Sequence, residues 1–89
     1  MLQDLKCVNP YFQDVLEGRK TFEVRWNDRN YQRGDILILR EYDREKGYSG
    51  RDVYVTVEYV LKEFEGLKEG YVVLGIMKFD YLKVTEREK

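Results

Sequence analysis

From Thr21 to Trp26 the chain alternates, with Phe22, Val24 and Trp26 apolar and Thr21, Glu23 and Arg25 polar. A period of two is that of a strand with one face on a core. The pattern therefore predicts that the apolar three anchor the core, while the polar three form a row on the other face, about 7 Å between alternate positions. Ahead of this segment the period is different. Tyr11, Phe12, Val15 and Leu16 recur at spacings of one, three and four, with Gln13, Asp14 and Glu17 on the wet side, which predicts a short amphipathic helix. Asn9-Pro10 starts it, because Asn accepts from first-turn amides and Pro fits the first helical position. Gly18 supplies a left-handed stop. Leu5–Val8 reads as a short strand before the helix.

Asn27-Asp28-Arg29-Asn30 and Gly34-Asp35 read as turns, with Asp35 a turn former rather than an acid. Ile36-Leu37-Ile38-Leu39 is apolar without alternation and is expected to be buried on both faces, with a helix packed outside. Arg44–Gly50 reads as a flexible hairpin loop. Val53, Val55, Val57, Tyr59 and Leu61 alternate with Tyr54, Thr56 and Glu58, a half-buried strand. A break at Glu63–Gly70 leads to a last strand, about Tyr71 to Phe79, apolar on both faces and so expected inside the sheet. Gly75 there is expected to admit a bulge or a close neighbour. Thr85–Lys89 reads as a frayed charged tail. One helix with five or six mostly antiparallel strands gives an α+β class: a small closed or nearly closed β-barrel with one N-terminal helix packed against it, all of residues 1–89 forming one domain.

Composition narrows the chemistry. With 16 basic and 17 acidic residues there is no uniformly basic surface, so any nucleic-acid contact must be local. One cysteine and no histidine exclude an internal disulfide, the usual zinc ligand and the usual general base. No metal or cofactor is expected, and Cys7 is read as a small buried apolar residue. The first residues lack an apolar run long enough for a signal or a membrane span, so a cytoplasmic protein is expected, taken as a monomer.

The densest chemistry lies between Gly18 and Arg25. Lys20, Glu23 and Arg25 read either as one wall of a ligand cleft or as a structural ion-pair network, and exposed pairs contribute only about 0–1 kcal/mol, a weak reason to gather three charges. Residues 19–33 hold five basic and two acidic side chains. Arg29, Arg33, Arg40 and Arg51 extend the cationic surface. Phe12, Phe22 and Tyr59 fall at periodic core positions, whereas Trp26, Tyr31 and Tyr48 lie where a base could stack, worth about 1–3 kcal/mol per base.

The run Gly18-x-Lys20-x-x-Glu23-x-Arg25, the pair Gly34-Asp35, Leu39-Arg40-Glu41-Tyr42-Asp43, Tyr48-Ser49-Gly50-Arg51 and Gly66–Gly75 resemble a family of small uncharacterised bacterial and phage proteins of the ASCH superfamily, DUF3850-like. The likeness covers most of the chain and implies a PUA-like barrel that binds RNA or a nucleotide in a cleft lined by this motif. Arg25, Arg29 and Arg40 would then meet phosphates, Lys20 and Glu23 would read polar edges, Trp26 or Tyr31 would stack, and Arg51 is a further ligand-binding candidate. Some ASCH relatives are amidohydrolases of acylated cytosine nucleosides that use a lysine, a threonine and a glutamate. Lys20 matches the lysine, the threonine position falls at Glu23, Thr21 is the nearby hydroxyl, and Glu58 is a guess at a second acid. A domain that only contacts another protein is the third alternative. The chain departs from the family pattern in having no histidine near the first strand and in carrying Trp26 where a lysine is expected.

Overall fold

In the computed structural model, which describes residues 1–79, the elements run β1 (Leu2–Cys7), α1 (Tyr11–Leu16), β2 (Phe22–Trp26), β3 (Ile36–Asp43), β4 (Gly47–Leu61) and β5 (Tyr71–Lys78). The reading of Thr85–Lys89 lies outside the described residues. The strands form one sheet in the order β1-β3-β4-β5-β2, with β1 parallel to β3 and the other neighbours antiparallel. The sheet curls into a half-barrel. Its edge strands β1 and β2, successive in sequence around α1, share no backbone ladder. Side chains from the β2 side span the opening instead: Arg25 Nη2 donates to the carbonyl of Lys6 at 3.0 Å, and Arg29 Nη1 to that of Asp4 at 3.1 Å.

The core fills the inner face. Leu5 and Cys7 of β1, Leu37 and Leu39 of β3, Val53, Val55 and Val57 of β4, and Val72, Leu74 and Ile76 of β5 form one buried cluster, completed by Phe12 and Val15 of α1 and by Tyr31. A helix of six residues has no stability of its own in water, so α1 exists because Phe12 and Val15 are seated there. Asn9 Oδ1 accepts from the Gln13 amide at 3.1 Å, the role its sequence position predicts, although the helix begins one residue later than Pro10. At the other end Gly18 takes φ +82°, and Lys78 Nζ donates to the Leu16 carbonyl at 2.7 Å, tying the helix to β5.

Several expectations are corrected. The alternation in β2 is real, but its faces are reversed: Glu23 is 3% exposed, while Phe22, Val24 and Trp26 are 45%, 51% and 56% exposed. The ladder with β5 fixes this, because Glu23 and Arg25 stand opposite the inward Leu74 and Val72, and the apolar three stand opposite Gly75, Val73 and Tyr71. Ile36–Leu39 is fully buried on one face only. Leu37 and Leu39 point inward, Ile36 and Ile38 are half-buried, and α1 packs on the inner side of the sheet rather than outside it.

Tyr59 is exposed, not core. The ladder slips between Val57 and Tyr59, so that Val60 rather than Tyr59 stands opposite the inward Leu74. The bulge faces Gly75, where a Cβ would come within 3.3 Å of the Tyr59 Cβ, the close approach that a glycine in this strand predicts. Tyr31 is buried in the core rather than presented in a loop, its amide held by Asn27 Oδ1 at 3.1 Å. The hairpin loop is shorter than expected, since β4 already begins at Gly47 and Asp43 Oδ1 accepts from the amides of Glu45 and Lys46 at 2.8 and 3.0 Å. No helix among the described residues is long and apolar enough to cross a membrane.

Candidate functional site

The opening between β1 and β2 is a cleft of about 700 Å³. The end of α1 builds one corner of it. After Gly18 reverses the chain, the amides of Arg19 and Lys20 both donate to the Asp14 carbonyl, at 2.9 and 3.0 Å, which fixes where the Lys20 side chain leaves the backbone. Its Nζ then donates to Glu23 Oε2 at 2.5 Å and to the Phe22 carbonyl at 2.7 Å. Arg25 approaches the same carboxylate from the other side, with Nε 3.0 Å and Nη2 2.7 Å from Oε1. Each oxygen of Glu23 is thus bound to a different cation, and the triad carries a net positive charge at the base of the cleft. Lys20, Glu23 and Arg25 form an ion-pair network, and all three line the cleft.

Around the triad the walls are mainly apolar. Cys7 contributes one of them. Burial, and secondarily the charge of Glu23, push its thiol up to about 11 against the opposing pull of Arg25 and Lys20, so at neutral pH it is a thiol and part of the wall. Tyr11 and Phe22 flank the Lys20 ammonium, with ring centroids 5.7 and 4.9 Å from Nζ. Both rings are about half exposed and both line the cleft. The sequence pattern placed Phe22 at a core position and Tyr11 on the apolar side of the helix. Tyr11 adjoins Phe12, and neighbouring helix positions point about 100° apart, so with Phe12 directed into the core Tyr11 lies at the edge of the buried face.

These residues lie within a segment shared with other proteins. Residues 2–76 match the family described as "Domain of unknown function (DUF3850)". The chain belongs to the DUF3850 family. It is 38% identical over 84 residues to the "Uncharacterized 12.9 kDa protein in GpA 3'region" of Escherichia phage P2, a match that covers 94% of this chain and 75% of that protein. In fold, the DUF3850 chain is similar to the crystal structure of hypothetical protein PH0355, with a TM-score of 0.61 over 89% of this chain and all of the other at 20% identity.

The remaining predicted site residues of this DUF3850 chain divide into three places. Arg25, Arg29, Arg40 and Tyr48 line a second, smaller cavity of about 380 Å³ that adjoins the cleft through Arg25 and Lys6. Trp26 points away on the outer face, edge-on to Tyr71 at 5.5 Å and so close over Gly70 that a Cβ there would meet the indole at 2.2 Å. Arg51 is committed elsewhere. Its Nε and Nη2 each lie 2.9 Å from an oxygen of Glu41, which also accepts from Ser49 Oγ and Asn9 Nδ2 at 2.6 Å, while Arg51 Nη2 reaches Gln13 at 3.0 Å. This network fastens the start of α1 to β3 and β4.

Arg51, Ser49 and Asn9 pull the Glu41 carboxyl down to about 2 from an ordinary 4.5. A depressed folded-state value means that the stabilisation is complete above about pH 4.5 and is lost as pH falls through about 2. Thermal melts between pH 6 and pH 2 should therefore show the wild type more stable than Glu41→Gln at the top of the range, with the gap closing toward the bottom. A constant gap would show that the charge of Glu41 contributes nothing to folding.

Proposed function

We propose that the protein is a binding module for single-stranded or structured RNA, or for a nucleotide, and that the ligand occupies the cleft between β1 and β2. The observation that carries this reading is the pair of half-exposed rings, Tyr11 and Phe22, with centroids 5.7 and 4.9 Å from the Lys20 ammonium of a cationic triad. A nucleobase is a flat apolar plate with a polar rim. Aromatic rings stack on the plate, charged groups meet the rim, and RNA recognition commonly combines the two. The resemblance to the ASCH superfamily and its PUA-like barrels supports the same assignment, since Lys20, Glu23 and Arg25 of the shared motif line this cleft. The hydrolytic alternative is less well served: Thr21 is not among the lining residues, and Glu58 accepts from Thr56 Oγ1 at 2.9 Å.

Fluorescence anisotropy with a labelled short RNA tests the proposal. Affinity should fall as salt rises, and Arg25→Ala should reduce the magnitude of the salt slope by about 1. Tyr11→Ala should weaken binding by about 1–3 kcal/mol while leaving the melting temperature nearly unchanged, because the ring is exposed. Identical weak binding by all three proteins would end this reading. Release of free acid from an acylated nucleoside would turn it toward hydrolysis.

A further inference from the structure

The smaller cavity gathers more positive charge than its surroundings account for. Lys6, Arg25, Arg29 and Arg40 line it beside a single carboxylate, Asp4, and the ring of Tyr48. Lys6 and Arg40 are partners in the parallel β1–β3 ladder, so two like charges share one face, with Asp52 the partner of Arg40 on its other side in the β3–β4 ladder. Part of that charge is answered: Arg25 is paired with Glu23 at 2.7 Å, and Asp4 and Asp52 lie 3.9 and 3.8 Å from Arg40, distances too long for hydrogen bonds. Arg29 makes its contact with a backbone carbonyl, and among the described residues no carboxylate lies within ion-pair distance of Arg29 or Lys6. Aromatic rings hold the cationic heads in place: Arg40 lies 3.8 Å over Tyr48, Lys6 lies 4.5 Å over Tyr42, and the two tyrosines meet edge to face at 5.1 Å. Donors held in position before a ligand arrives lose less freedom when it binds.

We propose that this cavity is a phosphate-binding subsite, with Arg29 and Arg40 offering planar donor forks and Lys6 a point charge to the phosphate oxygens. Lys6 and Arg25 line both cavities, so one nucleotide can place its phosphate here and its base against the exposed ring of Tyr11 or Phe22. That last placement rests on the function proposed above; the phosphate subsite itself does not.

The test is an amide-resolved NMR titration of the full chain with inorganic phosphate, against chloride at equal ionic strength. It is followed by titration with one short RNA carrying either a 5′-phosphate or a 5′-hydroxyl. Saturable shifts at Lys6, Arg29 and Arg40, weakened at least tenfold in both Arg29→Gln and Arg40→Gln, are the expected result. A tenfold preference for the 5′-phosphate would identify a terminal phosphate as the ligand group. Equal affinity for the two RNAs, lost to the same degree in Arg29→Gln, would identify a bridging phosphodiester. No saturable response to phosphate, or a response unchanged in the variants, overturns the subsite whether or not RNA binds. Phosphate binding without RNA binding keeps the subsite and removes the RNA reading.

Discussion

Glu23→Ala should lower stability by about 3–5 kcal/mol, the range found when one partner of a buried ion pair is removed and the other is left uncompensated. Glu23 is 3% exposed, and its two oxygens are bound to Lys20 and Arg25, whose side chains are themselves only 16% and 22% exposed. Without the carboxylate, two cations remain side by side with little water to separate them. A surface network would lose about 0–1 kcal/mol in the same experiment, so the size of the effect distinguishes a desolvated triad from an exposed one. The measurement is a urea unfolding curve, read from the shift in midpoint at constant slope. Glu23→Gln provides the companion value. It keeps one acceptor and the side-chain shape while losing the charge, and should fall between the wild type and Glu23→Ala. A loss below 1 kcal/mol for Glu23→Ala would refute the view that the floor of the cleft is shielded from solvent.

Phe12→Ala should cost about 3–5 kcal/mol, the usual consequence of deleting a buried ring from a core that cannot fully collapse around the space. Phe12 has no exposed surface, and Arg51 lies over its ring at 5.2 Å. Its loss also has a local consequence. A six-residue helix depends on its two buried anchors, so removing the larger one should release α1 and with it Tyr11 and Asp14, both of which line the cleft. Denaturant unfolding followed by far-UV circular dichroism measures the first effect, and anisotropy with labelled RNA, at a temperature where the variant remains folded, measures the second. A variant with reduced stability and undiminished RNA affinity would show that the helix is not needed to shape the cleft.

The periodicity of the chain predicted its elements well because period reports local geometry. The alternation around Val53, Val55 and Val57, the switch of period at Gly18 and the apolar run from Val72 to Ile76 each correspond to an observed element. What period cannot report is which face points inward. In β2 the apolar row faces out and the carboxylate in, because Glu23 brings two cations with it and this compensates for its desolvation. Tyr59 was misplaced for a related reason, since an alternating pattern cannot register a bulge set by the glycine on the neighbouring strand. For the site, the motif Lys20, Glu23 and Arg25 was legible as a cluster within eight residues. Its flanking rings were not, because Phe22 looks like a core residue unless the reversal of β2 is known. The grouping of Lys6 with Arg29 and Arg40 depends on β1 lying beside β3 and facing β2, which no local pattern encodes.

A half-barrel with two edge strands is open to extension by a strand from a neighbouring molecule, because an unpaired row of backbone groups will accept any chain that matches its spacing. In β1 the carbonyls of Asp4 and Lys6, on the side away from β3, are already bound to the guanidinium groups of Arg29 and Arg25. A guanidinium donates at a point and offers no ladder to continue. The two arginines therefore block strand addition along the β1 edge, at the position where closing the barrel would have eliminated the cleft.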